Sequence, residues 1–343
     1  MGIIIAILLF SFIIIFHELG HFLLAKKNGI RVDEFSLGLG PTIIGKQIGE
    51  TFFCIKLLPL GGACMMGEDD VDDMSPGSFY SKSVWARMSV IAGGPVFNLI
   101  LAWIFCVIMI GSTGYLTPEI TEVESGYAAE EQGLEAGDVI REINGRNVYM
   151  WDDMVLYTAT HPDEDSYEIV YERDGEEYTA VLDLRQLEGD TSPRLGVNGG
   201  IRKEPGIFGS LQYGFYKLKY WMHYTIDCLQ MLATGQAGLN DLSGPVGIVN
   251  VVNDVYESAA PAGVRSISLN MLNFGTLLTA NLGIVNLLPF PALDGGRLVF
   301  LIVEAVRKKR VPPEKEGMVH FAGFAALMVL MVVVMYNDIM KLF

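Results

Sequence analysis

The residues of this chain best suited to chemistry lie near its amino terminus, in the segment FHELGH. His17 and His21 are four residues apart, so on a helix both imidazoles project from one face, one turn apart. This spacing allows two histidines to bind one zinc ion, and it places Glu18 where its carboxylate can take a proton from water. Zinc lowers the pKa of a bound water to about 7, so a hydroxide nucleophile exists at neutral pH. The pattern predicts a hydrolytic zinc centre.

Two histidines leave such a centre incomplete, because a catalytic zinc normally has three protein ligands and one open position. We expect the third ligand to be Asp294, in the segment NLLPFPALDGGR. Its carboxylate interrupts an apolar stretch, where it would be an unpaired charge unless a metal bound it. Irregular backbone at membrane depth is tolerated where it lines a water-accessible pocket, as a metal site between two spans would be.

The elements that must position these residues are apolar. The chain has 343 residues, of which 51% are hydrophobic, and this composition indicates membrane spans. A secretory signal peptide is the alternative for the first apolar segment, but the segment has no basic start and no small-residue cleavage site. It also carries the ionisable HELGH, which is costly at membrane depth and therefore indicates function. Four segments are apolar enough to be spans: 2–25, 88–111, a broken third from about 272 to 306, and 320–336 with its flanks. The first two reach the roughly 20 residues needed to cross the hydrocarbon.

Charge predicts the orientation of the spans. Basic residues follow the first span and precede the fourth, where Arg307 to Arg310 read RKKR, so the positive-inside rule makes both loops cytoplasmic. From Thr113 to Leu269 there are 26 acidic and 10 basic residues, a difference equal to the net charge of −16. We therefore expect this segment and both termini outside the cytoplasm. The acidic balance also argues against binding to nucleic acid.

The acidic segment contains a predicted α+β domain, approximately residues 115–197. Two alternating strands flank Asp174-Gly175, a pair typical of tight hairpin turns. The stretch AAEEQGLEAGDVIREINGRNV resembles the PDZ domains of bacterial membrane and periplasmic proteases. Such domains capture extended peptide ends at a sheet edge. The alternative is a small α+β spacer without a ligand.

Taken together, HELGH in the first span, NLLPFPALDG in the third and a PDZ-like domain between the second and third resemble the site-2 protease family. The nearest resemblance is to its RseP-like branch, the regulator-of-sigma-factor proteases of bacteria. It implies that His17, His21 and Asp294 bind Zn²⁺ and that Glu18 is the catalytic glutamate. Further segments that resemble the family are FSLGLGP, LPLGGACMMGED, AGGPVFNLILA and SGPVGI.

The same resemblance suggests residues that contact the substrate. Asn286 is implied to hold its unwound backbone, and Asn98 is implied to be a polar residue where the second span begins. A bond between helices is the alternative for Asn98. Gly61 and Gly62 lie in a segment implied to form a re-entrant hairpin that pairs with an extended substrate. A cytoplasmic surface hairpin is the alternative there.

We therefore expect a polytopic α-helical membrane protein with a re-entrant β-hairpin on the cytoplasmic side and an inserted PDZ-like domain. Its expected regions are a first membrane half (1–112), an extracytoplasmic PDZ-like domain (113–200), and an interfacial segment with the last two spans (201–343). The resemblance implies an intramembrane zinc metalloendopeptidase of the bacterial cell membrane. Its implied substrates are single-span proteins such as anti-sigma factors, or remnant signal peptides. The alternatives are a catalytically inactive membrane PDZ scaffold, and a metal transporter, for which the chain has too few intramembrane acids and histidines.

Overall fold

The structure, a computed structural model, describes residues 2–67, 74–187 and 192–341. The end of the LPLGGACMMGED segment, residues 68 and 69, lies outside the described residues. The helices in chain order are α1 (Gly2–Lys27), α2 (Val84–Thr113), α3 (Ala128–Glu131), α4 (Trp151–Thr160), α5 (Ile207–Thr234), α6 (Pro245–Ala259), α7 (Val264–Leu287), α8 (Asp294–Arg307) and α9 (Pro313–Met340).

The strands are short except for the first two. They are β1 (Glu34–Ile48), β2 (Thr51–Met65), β3 (Tyr115–Leu116), β4 (Ile120–Val123), β5 (Val139–Ile143), β6 (Arg146–Asn147), β7 (Ser166–Arg173), β8 (Glu176–Asp183), β9 (Val197–Gly199) and β10 (Arg202–Lys203). The chain divides into two compact units, one formed by residues 1–105 and 232–343 and the other by residues 106–231.

Within the described part of the chain, three helices are long and apolar enough to cross a membrane: Ile3–Lys27, Val84–Thr113 and Pro313–Met340. The third span, predicted as broken, consists of two helices, α7 and α8, separated by a proline-containing turn. The 14 residues of α8 are too few to cross about 30 Å of hydrocarbon. In α7, Thr276 and Thr279 are completely buried, so this helix packs polar groups within the protein.

The strands β1 and β2 form one folded ribbon. Residues 34–37 pair on one side with residues 52–55 and on the other with residues 62–65. The chain can bend between these pairings because Gly38 has a φ of +90°, and an added Cβ there would lie 2.4 Å from the Leu58 carbonyl oxygen. The ribbon thus becomes a small sheet with residues 62–65 along one edge.

Helices α1 and α2 approach each other closely where both carry glycine. A Cβ on Gly20 would lie 2.2 Å from the carbonyl oxygen of Gly93, and a Cβ on Gly93 would lie 2.7 Å from that of Gly20. Small residues allow such backbone contact between membrane helices. The crossing brings the backbone of α2 directly against the HELGH segment of α1.

The second unit has an α+β fold. Its main sheet has the antiparallel order β6-β5-β7-β8, and β4 pairs separately with β9. Asp174 and Gly175, with φ values of +55° and +85°, make the tight turn between β7 and β8 that the sequence predicts. The core residues come from the sheet and from α3 and α4: Ile120, Ala128, Ala129, Leu134, Ile140, Ile143, Val148, Met154, Tyr157, Tyr167, Ile169, Tyr171, Ala180, Leu182 and Leu195.

This unit extends beyond the expected range 113–200 because most of α5 packs on it. The guanidinium of Arg146 donates two hydrogen bonds, of 2.6 and 2.9 Å, to the carboxylate of Asp227. Lys217, on the same helix, forms an ion pair with Asp152. Asp227 is only 1% exposed, so its negative charge needs this pairing.

Candidate metal centre

Three side chains from distant parts of the sequence converge in the first unit. His17 Nε2 lies 3.2 Å from His21 Nε2 and 3.2 Å from Asp294 Oδ2. His21 Nε2 lies 3.5 Å from the same oxygen. Ligand atoms held tetrahedrally by zinc at about 2.0–2.1 Å are about 3.3 Å apart. Among the described residues, this is the one cluster of three such side chains close enough to hold a metal ion.

The hydrogen bond of His21 determines which ring nitrogen is available. Its Nδ1 lies 2.9 Å from the carbonyl oxygen of Val90 on α2, and because a carbonyl only accepts, Nδ1 carries the proton. The lone pair of His21 Nε2 then faces Asp294. Such a bond to a backbone carbonyl is how metal-binding histidines are commonly oriented.

Two features of the surroundings fit a cation at this point. Asp294 Oδ2 is buried and has no hydrogen-bond partner in the part of the chain that the structure describes. At Gly94, an added Cβ would lie 2.3 Å from His21 Nε2 and 2.7 Å from His17 Nε2. The glycine therefore keeps open the space beside both ligand nitrogens. The lone pair of His21 Nε2 and the buried Asp294 carboxylate repel each other unless a cation or a proton lies between them.

Glu18 lies beside the ligands and faces the ribbon. An added Cβ on Gly62 would be 3.0 Å from Glu18 Cγ. The backbone N–H of Cys64, on the same edge strand, donates to the Glu18 carboxylate. The sheet edge formed by residues 62–65 therefore runs past the predicted base. Gly61 has a φ of +82°, a conformation that glycine adopts without strain.

Asn98 and Asn286 occupy different positions. Asn98 is completely buried on α2, and its amide nitrogen lies 3.1 Å from His17 Nδ1. This contact favours a role in orienting His17 over contact with a substrate. Asn286 is half-buried in the last turn of α7, before the turn that leads to Asp294. Its contact with substrate remains a prediction.

Sequence reasoning missed Val90 and His320, two of the residues that support the ligands. Nothing in the spacing of histidines identifies Val90 as the partner of His21, because the contact depends on the packing of two helices. The pair Gly93-Gly94 was a usable signal, since adjacent glycines in an apolar helix indicate close approach of another backbone. The contact of His320 with the turn before Asp294 was also missed, because this histidine has no partner at metal-binding spacing in the sequence.

The family model described as peptidase family M50 matches residues 5–330. The zinc metalloprotease RasP of Geobacillus kaustophilus is 33% identical, with 98% of this chain and 97% of that protein covered. The regulator of sigma-W protease RasP of Bacillus subtilis is 31% identical, with 98% of both chains covered.

A solved structure is similar to part of the chain. The PDZ domain of an SdrC-like protein from Listeria monocytogenes is 22% identical and covers 25% of this chain and 88% of that one, with a TM-score of 0.22.

Proposed function

Because this chain belongs to peptidase family M50, we propose that His17, His21 and Asp294 bind its catalytic zinc and that Glu18 is its general base. The chain is a zinc metalloprotease of the membrane. The observation that carries the assignment of residues is the convergence of three ligand atoms within 3.5 Å of one another beside Glu18. The scaffold alternative has no comparable use for a buried carboxylate beside two histidine nitrogens.

Each residue has a defined part in peptide hydrolysis. When bound by the three ligands, zinc supplies a Lewis acid that polarises the peptide carbonyl and lowers the pKa of water. The Glu18 carboxylate accepts the proton that water loses as its oxygen bonds to the carbonyl carbon. Glu18 then returns that proton to the amine nitrogen as the C–N bond breaks. The N–H of Cys64 orients the carboxylate for both transfers.

The substrate must be extended at the site, because the amides of an intact helix are already hydrogen-bonded. The edge strand of residues 62–65 pairs on one side with residues 34–37 and has no strand partner on its other side among the described residues. A locally unwound substrate segment can add as a further strand at this edge, apart from the Cys64 N–H, which donates to Glu18. We propose that Gly62 leaves room for the substrate segment beside Glu18, since an added Cβ there would contact Glu18 Cγ. Asn286, in the last turn of α7, is proposed to contact the same segment.

The proposed orientation places the site toward the cytoplasm. In α1, His21 precedes Lys26 by about 8 Å along the helix axis, and Lys26 and Lys27 end the helix. Basic residues at the end of a span favour the cytoplasmic face. The protein is then located in the bacterial cell membrane, with the second unit and both termini extracytoplasmic. The proposed substrates are accordingly single-span proteins of that membrane, including anti-sigma factors and remnant signal peptides.

The second unit has a groove suited to a peptide end. It has a volume of about 520 Å³ and is lined by residues of α4 and of the segment that leads into β9, including Val155, Leu195 and Val197. Among the described residues β9 pairs with β4 alone, so its second edge is available. An extended peptide with apolar side chains can pair with this edge and pack against α4. We propose that the groove binds such peptides.

The function is tested with the full chain in lipid vesicles that also contain a single-span substrate with a shortened outer segment. We expect cleavage inside the span, which stops when a chelator removes zinc and resumes when zinc is added. Asp294→Ala should abolish it. Cleavage that persists in the Asp294→Ala chain, or that falls only outside the span, would contradict the proposed site.

A further inference from the structure

The turn that delivers Asp294 to the histidines has an unusual backbone. Helix α7 ends at Leu287 and α8 begins at Asp294. Between them, Ala292 has a φ of +78°. A residue with a Cβ rarely adopts this conformation, because the Cβ crowds the neighbouring carbonyl oxygen. Surrounding contacts must therefore hold this turn in place.

One such contact comes from α9. The backbone N–H of Ala292 donates a hydrogen bond of 2.9 Å to His320 Nδ1. A ring nitrogen that accepts a hydrogen bond carries no proton, so the imidazole is neutral and has its proton on Nε2. The ring also lies 5.5 Å from the ring of Phe300 on α8. His320 thus contacts both the turn and the helix that follows it.

A second contact lies one turn further along α9. An added Cβ on Gly323 would lie 2.4 Å from Pro291 Cβ and 2.5 Å from the Pro291 carbonyl oxygen. His320 and Gly323 are three residues apart, so they share one face of α9. The backbone of α9 therefore lies directly on the turn, and the imidazole is the polar group in that contact.

We propose that His320 is a positioning residue for the metal centre. By accepting from the N–H of Ala292 it holds the turn in the conformation that places the Asp294 carboxylate 3.2 Å from His17 Nε2. This inference rests on the proposed zinc site. Asp294 is the ligand that does not come from α1, so the conformation of its turn decides whether the three ligand atoms meet. Helix α9 then has a function besides crossing the membrane.

The test compares zinc affinity in three variants of the full chain in detergent, measured by competition with a chelator. His320→Leu removes the acceptor, and His320→Asn retains one, because its Oδ1 can take the place of Nδ1. Phe321→Leu is the matched control, since Phe321 is 72% exposed on the same helix. We expect about a tenfold loss of affinity in His320→Leu, recovery of most of it in His320→Asn, and no change in the control.

The visible absorption spectrum of the Co²⁺-substituted chain reports ligand geometry independently of activity. We expect His320→Leu to change this spectrum and His320→Asn to preserve it. Unchanged affinity and spectrum in His320→Leu would overturn the proposal. Equal losses in His320→Leu and His320→Asn would also overturn it, because they would indicate packing alone.

A measurement on the unmodified chain covers the case in which His320→Leu does not fold. With ¹⁵N-labelled histidine, nuclear magnetic resonance distinguishes which ring nitrogen carries the proton. We expect His320 to be protonated on Nε2 alone, and a proton on Nδ1 would overturn the proposal. If the unmodified chain itself bound no zinc, the proposed site and this inference would both fail. If the unmodified chain bound zinc and only the differences expected among the His320 variants were absent, this inference alone would fail and the proposed zinc site would stand.

Discussion

The amide of Asn98 lies 3.1 Å from His17 Nδ1, with its nitrogen toward the ring and its oxygen without a hydrogen-bond partner among the described residues. Rotating the amide by 180° would direct Oδ1 to His17 Nδ1 and let it accept a proton from that nitrogen. His17 would then present the lone pair of Nε2 to a metal, as His21 does through its bond to Val90. The buried amide can therefore serve both tautomers of His17.

This relationship predicts that Asn98→Leu weakens zinc binding by about 10–100-fold, because it removes the partner that orients a ligand. Leucine has the same number and branching of side-chain heavy atoms as asparagine, so the packing of α1 against α2 should be largely retained. The affinity is measured by chelator competition, with Asn270→Leu as the control because Asn270 is exposed on α7. Equal zinc affinity in the Asn98→Leu and unmodified chains would mean that Asn98 does not support the site.

Gly94→Ala should abolish zinc binding. The new Cβ would lie 2.3 Å from His21 Nε2, in the space beside both ligand nitrogens. Gly111→Ala is the control on the same helix, because the nearest atom to its Cβ would be Ser210 Oγ at 3.4 Å. Metal analysis of the purified chains distinguishes them. A Gly94→Ala chain that retains zinc would show that the metal lies elsewhere.

The ion pair between Arg87 and Glu304 joins α2 to α8 and should stabilise the first unit. Both side chains are largely buried, at 4% and 17% exposed, and the guanidinium contacts both carboxylate oxygens. Removing one partner leaves a buried charge unpaired, at a cost of about 3–5 kcal/mol. We expect Glu304→Leu to lower the midpoint of thermal unfolding in detergent.

Adding Arg87→Met to Glu304→Leu should restore much of that loss, because no charge then remains unpaired. The double variant is the control for the loss of contacts alone. If it unfolds at as low a temperature as the Glu304→Leu chain, or lower, the destabilisation comes from lost packing rather than from an unpaired charge.

In the second unit, Asp153 should make stability depend on pH. Burial raises the pKa of its carboxyl to about 6, even though the carboxylate accepts hydrogen bonds from the backbone N–H groups of Tyr149 and Met150. Since the folded-state pKa lies above the unfolded value, the folded unit binds more protons between about pH 4 and 6. Its contribution to stability is therefore fully present below about pH 4 and is lost as the pH rises through about 6.

Hydrogen exchange in α4, corrected for the intrinsic pH dependence of exchange, measures this effect in the full chain. Protection of α4 should increase when the pH is lowered from about 7 to about 5. Asp153→Asn keeps an acceptor for the two N–H groups but cannot titrate, so its protection should be insensitive to pH over this range. The same increase in both chains would assign the pH dependence to another group.

The sequence predicted the parts of the site that depend on local spacing. The separation of His17 and His21 implies one helical face, and the interruption around Asp294 implies a turn between helices. The sequence singled out Asn98 but not its contact with His17, and it did not identify Val90 or His320, because these groups reach the site through contacts between helices that no periodicity encodes. The sequence predicted the ribbon as a hairpin. It did not predict that residues 34–37 also pair with residues 62–65, because this pairing depends on the bend at Gly38.

One comparison tests most directly the proposal that Glu18 transfers protons beside a metal held by other residues. The unmodified and Glu18→Gln chains are purified in detergent, analysed for zinc and incubated with truncated single-span substrates. We predict about one zinc per chain in both and cleavage by the unmodified chain alone. Cleavage that is unaffected by Glu18→Gln, or absence of zinc from the active chain, would contradict the account.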